Sequence, residues 1–319
     1  MSRKLLALVA LTVLASSVAT PAHAGPDITG RLLPPSGAWL GAWVGNRYPN
    51  LDHYEEVEAF ESQIGRKLNV SQHYRPWDNQ WWGEEQLDLE NGRIPLISWT
   101  PAGTTAAEIN SGSQDALITE KADAIKALGG EVFLRFAYEM DQPPGGIRYI
   151  GPPSEFITAW RRVHGIFQDR GATNAVWVWC AIAWNFTPQY NVDAKAYYPG
   201  DAYVDWIAAD GYNWYPEKPG SQWKSFKDIF AYFYEWAAPK SKPVMIAETG
   251  AQEDPATPGR KGGWITATSN TLKEWPDVKA FMYFHSKSPK GYDFWVDTSP
   301  SALDKFKAIG EDPYFNPPS

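Results

Sequence analysis

The sequence predicts an α/β fold in a single domain, a closed (β/α)8 barrel of the TIM type. Eight short and nearly continuous apolar runs recur along the chain, at residues 38–44, 68–74, 94–99, 132–138, 175–182, 206–211, 244–247 and 278–284. Such runs are typical of parallel strands with both faces buried, and eight of them indicate closure into a barrel. The alternative is a doubly wound open sheet. That fold normally carries a glycine-rich phosphate turn after its first strand, and none occurs here.

Helical patterns separate most of these runs. Residues Phe156, Trp160, Val163 and Phe167 fall on one helical face, and Gly171 is placed to end that helix. Residues 226–236 and 115–128 show similar periodicity, the latter followed by Gly129. Residues 78–93 lack a clear helical period, so the second crossover is the weakest part of the prediction.

Residues 1–24 have the pattern of a secretory signal peptide. Arg3 and Lys4 precede an apolar core at residues 5–14, and Ala22-His23-Ala24 forms an A-x-A cleavage site. We therefore expect a secreted protein whose catalytic domain spans residues 25–319. The alternative is an N-terminal membrane anchor, although the apolar core is short for a bilayer.

Composition argues against several classes of partner. The formal net charge is −8, and loss of Arg3 and Lys4 makes the chain more acidic, which disfavours nucleic acid and anionic membranes. Cys180 is the one cysteine, and no zinc-ligand spacing occurs, so we expect no disulfide, metal or cofactor. We also expect a monomer. The 17 Trp, 16 Tyr and 14 Phe suit a surface that stacks against flat, weakly polar ligands such as sugars.

Two glutamates end apolar runs at the same predicted face. Glu139 follows the fourth run in "FLRFAYEM", and Glu248 follows the seventh in "VMIAETG", where Gly250 is expected to turn the chain. Chemistry in a (β/α)8 barrel occurs at the carboxyl ends of the strands. Two carboxylates facing one cleft are what acid–base and nucleophilic hydrolysis of an acetal requires.

Here the chain resembles glycoside hydrolase family 26, best known for β-mannanases, within the clan of retaining barrel glycosidases. "RFAYEM" is similar to the family's R-x-x-H-E-M segment, and "VMIAETG" to its nucleophile segment. "DWIAADGYNWY" matches its sixth strand and "DFWVDTSPSALDKF" its closing segment. The resemblance covers most of the chain after residue 24.

This resemblance implies that Glu139 is the general acid/base and Glu248 the nucleophile, with retention of configuration. It implies that Tyr212 hydrogen-bonds the nucleophile, while Arg135 supplies positive charge near the pair or serves as a buried ion-pair partner. Tyr138 stands where the family's mannanases have histidine, and "MDQPPGGIRY" lacks the tryptophan usually found after the acid/base. Mannan is therefore one possible substrate among several.

Aromatic and polar side chains follow several predicted strands and are expected to bind sugar. Beyond Arg135, Tyr138 and Tyr212, the predicted substrate-binding residues are His73, Trp77, Trp82, Trp184, Asn213, Trp214, His285 and Trp295. Each tryptophan could equally pack beneath its own loop.

Two functions remain open from the sequence. One is a secreted retaining β-glycoside hydrolase acting on a β-linked polysaccharide or oligosaccharide, with β-mannan, β-glucan and β-1,3-xylan all compatible. The other is a non-catalytic carbohydrate-binding barrel that keeps the cleft without the chemistry. Endo and exo action are not distinguished.

Overall fold

A computed structural model describes residues 30–78, 81 and 83–317. The predicted signal peptide therefore lies outside the described residues. Eight parallel strands form a closed barrel in chain order, with the first strand paired to the eighth. They are β1 Trp39–Val44, β2 Val70–Pro76, β3 Ile94–Thr100, β4 Val132–Phe136, β5 Ala175–Ile182, β6 Trp206–Asn213, β7 Val244–Ala251 and β8 Val278–His285. The predicted (β/α)8 barrel is confirmed.

Helices surround the barrel. They are α1 His53–Ile64, α2 Glu84–Glu90, α3 Ala106–Ser111, α4 Asp115–Leu128, α5 Pro153–Arg170, α6 Phe226–Ala237, α7 Arg260–Glu274 and α8 Pro300–Glu311. Gly129 and Gly171 end α4 and α5 in the left-handed conformation, with φ of 71° and 70°, as the sequence predicts. In the described part of the weak second crossover, the one helix is the short α2.

The helices are unevenly distributed among the crossovers. Both α3 and α4 connect β3 to β4, whereas three short 3₁₀ turns connect β5 to β6. A loop-rich β5–β6 crossover leaves irregular backbone at the rim, where loops carry binding residues in this fold. No helix among the described residues is long and apolar enough to cross a bilayer.

The amino-terminal end of the barrel is closed by two tryptophans. The Trp39 indole donates to the Leu32 carbonyl at 2.7 Å, and the Trp206 indole donates to the Arg31 carbonyl at 2.9 Å. These bonds fix residues 31–32 across the bottom of the barrel. The open end of the barrel is therefore the one where the strands terminate.

Candidate active site

The end of β4 places Glu139 over the mouth of the barrel. Ala137 and Glu139 both have positive φ, 46° and 53°, which is uncommon for residues other than glycine. Their amides are bonded to the neighbouring strands, Ala137 N–H to the Trp99 carbonyl at 2.9 Å and Glu139 N–H to the Cys180 carbonyl at 3.0 Å. The flanking strands thus hold a turn that a free peptide rarely adopts, as is common at functional sites.

An irregularity in the β6–β7 register places Glu248 in the same mouth. Ala209 pairs with Ile246, but the next residue, Asp210, pairs with Glu248. The extra residue, Ala247, packs in the inner cluster of the barrel, so two successive residues of β7 face inward. The strand then continues to Ala251.

The expectation that Gly250 turns the chain is wrong, because β7 runs through it. A Cβ atom at Gly250 would lie 2.9 Å from the Phe294 ring. The glycine is therefore needed for close approach of that ring rather than for a turn.

The Glu248 carboxylate is hydrogen-bonded on both oxygens. Tyr74 donates to Oε1 and Tyr212 donates to Oε2, each at 2.6 Å, and the Arg135 guanidinium also binds Oε1. Burial would raise the pKa of this carboxyl, but Arg135, Arg148 and the two tyrosine hydroxyls together hold the pKa below its ordinary value. Glu248 is therefore held as the carboxylate anion.

Arg135 is fully buried in the barrel mouth and connects three strands. Its Nη1 donates to both oxygens of Asp210, at 2.9 and 3.0 Å, and its Nε donates to Ser98 Oγ at 2.9 Å. Its remaining terminal nitrogen binds Glu248. Two carboxylates and a hydroxyl therefore satisfy one buried cation, as a buried charge requires.

Glu139 has a different environment from Glu248. Its side chain is 15% exposed, and Arg148 Nη1 donates to Oε2 at 2.5 Å while Gln142 Nε2 approaches it at 3.3 Å. Burial raises the pKa of Glu139 above its ordinary value, and the charge of Glu248 adds to this, while Arg148 and Arg135 oppose it. The two carboxyls thus have pKa values displaced in opposite directions.

A cavity of about 820 Å³ opens beside Glu139. The loops after β4, β5 and β6 line it, with Gln142, Trp184, Tyr190, Tyr212, Trp214 and Lys218 among the lining residues. Asp210 contributes to its floor, whereas Glu248 is not among the lining residues. Aromatic rings alternate with amide, hydroxyl and amino groups, a wall that suits a sugar.

The structure brings together some of the residues predicted to bind substrate. Trp184, Tyr212 and Trp214 line the cavity. Tyr138 and Arg135 are not among the lining residues; both are buried and stacked, with the guanidinium carbon 4.1 Å from the ring centroid. These five remain candidates for sugar contact or for supporting it.

The prediction that two histidines face the cleft is wrong. His73 is buried and its Nε2 lies 2.5 Å from Asp88 of α2. His285 is buried against Phe60 of α1, and its Nδ1 accepts from the Val296 amide at 3.1 Å. Side chains alternate between the two faces of a strand, and both histidines fall on the outer face.

The structure also places three other predicted residues away from the cavity. Trp77 is buried and stacks on Trp99 at 4.4 Å, and Asn213 is buried with its Oδ1 near the amides of the following loop. The Trp295 indole donates to the Gly45 carbonyl at 3.2 Å, between the loops after β1 and β8. Trp82 lies outside the described residues. Packing beneath the loops accounts for the three whose position is described.

Sequence reasoning missed three residues at the mouth. Tyr74 binds Glu248, Arg148 binds Glu139, and Trp43 packs edge-on against Tyr74 at 4.6 Å. Strand alternation gave Tyr74 a signal, but it puts Tyr74 and His73 on opposite faces, so the prediction that His73 faces the cleft excluded Tyr74. Arg148 had none, because its position depends on the path of a loop.

No group of three or more His, Cys, Asp or Glu side chains in the described parts of the chain is arranged to hold a metal ion. Arg135 and Arg148 place positive charge beside the two glutamates.

The fold and site define a (β/α)8 barrel with a pair of unlike carboxyls at the ends of β4 and β7. No family model matches the chain. The chain is 34% identical over 289 residues to Endoglucanase H of Acetivibrio thermocellus, an alignment that covers 86% of this chain and 31% of that protein. The chain thus spans about a third of the length of the curated relative it matches.

Solved structures share the same barrel at low identity. A GH26 β-mannanase from Bacteroides ovatus superposes with a TM-score of 0.63 at 14% identity, covering 88% of this chain and 90% of that one. The GH26 domain of an endo-β-mannanase/endo-β-glucanase from Prevotella bryantii gives a TM-score of 0.60 at 14% identity, covering 89% and 91%. The chain has the fold of glycoside hydrolase family 26, as its sequence motifs predict.

Proposed function

We propose that the protein is a retaining β-glycoside hydrolase that cleaves a β-linked polysaccharide of the glucan class by double displacement. The observation that carries this proposal is the pair of glutamates at one barrel mouth with pKa values displaced in opposite directions. One carboxyl suited to hold a proton and one held ionised are what the two halves of this reaction need.

In the first step, a Glu248 oxygen attacks the anomeric carbon and the glycosidic C–O bond breaks. Glu139 transfers its proton to the departing oxygen, and a glycosyl ester of Glu248 remains. In the second step, Glu139, now a carboxylate, removes a proton from a water that attacks the same carbon, and Glu248 leaves. Two inversions give net retention. Tyr74 and Tyr212 orient the nucleophile throughout.

The position of the cavity supports an assignment of its role. The general acid must lie beside the departing oxygen, and the cavity borders Glu139 without including Glu248 in its lining. We therefore assign the cavity to the leaving-group portion of the glycan. Its Trp184, Tyr190 and Trp214 supply rings against which the apolar faces of sugars can stack.

Two observations favour β-glucan over mannan. The relative at 34% identity is named an endoglucanase, whereas the mannanase structures are far less similar in sequence. Tyr138 also occupies the position of the family's mannanase histidine, beside the catalytic pair. In this chain the side chain at that position is a phenol ring held between two guanidiniums.

A substrate screen with three matched variants tests the proposal. Purified protein is assayed on barley β-glucan, cellulose, mannan, xylan and arabinan beside Glu139→Gln, Glu248→Gln and the control Glu131→Gln. Glu131 is a half-exposed glutamate at the opposite end of β4, paired with Arg31. We expect hydrolysis of β-glucan, a loss of roughly 10²- to 10⁴-fold in the two site variants, and none in the control. Full activity in either site variant would contradict the mechanism.

Azide rescue separates the two roles. With an activated aryl glycoside, Glu139→Ala plus azide should release a glycosyl azide of retained configuration, and Glu248→Ala plus azide one of inverted configuration. Binding of a glucan without turnover, in a folded wild-type protein, would instead favour the carbohydrate-binding barrel.

We further propose that the protein is exported with cleavage after Ala24, supported by the basic start, apolar core and Ala22-His23-Ala24 pattern. Amino-terminal sequencing of protein recovered from the medium of an expressing bacterium tests this. A mature chain starting at Gly25 is expected, and an uncleaved, cell-associated chain would contradict it.

A further inference from the structure

Two arginines enclose one tyrosine between the catalytic glutamates. The Tyr138 ring centroid lies 4.1 Å from Cζ of Arg135 and 4.3 Å from Cζ of Arg148. Arg135 binds Glu248, while Arg148 binds Glu139 and also donates to the Tyr138 hydroxyl at 2.9 Å. Each carboxylate thus has its own guanidinium, and the tyrosine ring lies between the two cations.

We propose that Arg148 is a positioning residue that orients the Glu139 carboxyl and limits the alkaline range over which it can donate a proton. Tyr138 serves as the platform that holds Arg148 in place. The proposal deepens the function proposed above and rests on Glu139 being the general acid/base.

The contacts of Arg148 argue against a purely structural role. Among the described residues its ion-pair partner is Glu139, and its hydroxyl partner is Tyr138, both within the same loop region. Neither of these partners lies on a helix, unlike the partner of Arg162, which joins α5 to Asp115 of α4. Ile147, the neighbour of Arg148, is 77% exposed, so the loop places a cation at the site while leaving an aliphatic side chain in solvent.

The ion pair between Arg148 and Glu139 fits the change of protonation state that the proposed reaction requires of Glu139. Glu139 begins the cycle protonated, then becomes a carboxylate when the leaving oxygen takes its proton. A guanidinium 2.5 Å away stabilises that carboxylate and keeps it ionised to accept a proton from water in the second step. Without Arg148 the carboxyl would release its proton less readily.

Several charged or titratable groups face Glu139 from different strands. Arg148 comes from the loop after β4, Arg135 from β4, Asp210 from β6 and Glu248 from β7. The hydroxyls of Tyr74, Tyr138 and Tyr212 border the same space and have raised pKa values because they are buried, so they stay neutral. Arg148 is the cation bonded to Glu139, whereas Arg135 is bonded to Glu248 and Asp210.

The pH dependence of kcat/KM tests the proposal with Arg148→Gln, Arg148→Lys and the control Arg162→Gln. Loss of the guanidinium should raise the pKa of Glu139 and move the alkaline limb upward by about one pH unit. The acid limb should move less, because Glu248 keeps Arg135 and both tyrosines. Arg148→Lys should restore the position of the alkaline limb but not the full rate. Lysine keeps the positive charge but lacks the planar, forked arrangement of N–H donors of the guanidinium. Arg162→Gln should leave the profile unchanged.

A titration that needs no turnover provides the second readout. The Glu139 carboxyl is followed by ¹³C NMR, identified by the signal missing in Glu139→Gln, in wild type and in whichever Arg148 variant folds. A higher apparent pKa in the variant supports the proposal. An unchanged alkaline limb and an unchanged titration in a folded Arg148→Gln would overturn it.

The two proposals fail in different ways. If Glu139→Gln keeps full activity, the proposed function is wrong. If Glu139→Gln is inactive but the Arg148 variants keep the wild-type profile, only this inference is wrong.

Discussion

Tyr74 donates a hydrogen bond of 2.6 Å to Oε1 of Glu248, from a strand on the opposite side of the barrel from β6 and Tyr212. The Glu248 carboxylate is therefore held by hydroxyls from β2 and β6 and by Arg135 from β4. Three strands converge on one carboxylate, so its orientation depends on closure of the barrel rather than on β7 alone.

Removing one of these hydroxyls should slow catalysis without unfolding the protein. We expect Tyr74→Phe and Tyr212→Phe each to lower kcat/KM about 10- to 100-fold, because a hydrogen bond to a charged group contributes roughly 1.5–3 kcal/mol. The acid limb of the pH profile should also move to higher pH, since each hydroxyl helps to keep the pKa of Glu248 low.

The matched control is Tyr283→Phe. Tyr283 is buried, but it packs against Phe306 of α8, on the outer face of β8. It should leave both kcat/KM and the acid limb unchanged. Wild-type kinetics in Tyr74→Phe would contradict the assigned role.

The cavity should matter for long substrates and not for short ones. Tyr190 lines it and is 52% exposed. One aromatic ring stacked on a sugar contributes on the order of 1 kcal/mol to substrate binding. Tyr190→Ala should therefore raise KM for oligosaccharides about fivefold. KM for an aryl glycoside that does not enter the cavity should not change.

Tyr232→Ala is the control for that experiment. Tyr232 has a similar exposure, 46%, but lies on α6 away from the cavity lining. Equal effects of the two variants, or an equal effect of Tyr190→Ala on both substrates, would argue against the leaving-group assignment.

His73 should contribute to stability rather than to substrate binding. Burial opposes its protonation, but hydrogen bonds to Asp88 and Glu84 outweigh this and raise its pKa to about 9. Because the pKa of His73 is higher in the folded than in the unfolded protein, its protonated form stabilises the fold. This contribution is fully present below pH 6.5, the pKa in the unfolded chain, and is lost as pH rises through about 9. His73→Gln should lower the free energy of unfolding by about 3 kcal/mol in acid and by less in alkali.

Urea denaturation of both proteins below pH 6.5 and above pH 9 measures this difference. His164→Gln provides a contrast, because burial lowers the pKa of His164 and its contribution should not decline as pH rises. A pH-independent difference for His73→Gln, or a raised KM for substrate, would contradict the prediction.

The single cysteine should be unreactive in the folded protein. Cys180 is buried in β5, its Sγ lies 3.2 Å from Asp210, and burial raises its thiol pKa well above the ordinary value. A disulfide reagent should therefore label no thiol in the native protein and one thiol in concentrated urea. Rapid native labelling would show that the barrel opens near Asp210.

Much of the fold could be predicted because the apolar runs are strong local signals. The run at residues 175–182 coincides with β5, and the segment 115–128 coincides with α4. Strand ends were less accurate: β6 and β7 run two and four residues beyond the predicted limits, through Asn213 and Ala251. Polar and glycine residues at those ends look like loop from the sequence but pair in the barrel.

In the candidate site, too, some residues could be predicted from the sequence and others could not. Glu139 and Glu248 could be found because each follows an apolar run, and that order along the chain is local information. The positions of His73, His285 and Asn213 were mistaken because a one-residue shift moves a side chain to the other face of its strand.

By itself the sequence determined the eight strands, most helices and the two glutamates, since these follow from the order of apolar and charged residues. Only the tertiary structure decided which groups surround the glutamates. Tyr74, Arg135 and Tyr212 meet at Glu248 because barrel closure joins distant strands, and Arg148 reaches Glu139 because its loop folds back over β4. The unequal pKa values depend on those contacts, and no spacing along the chain encodes them.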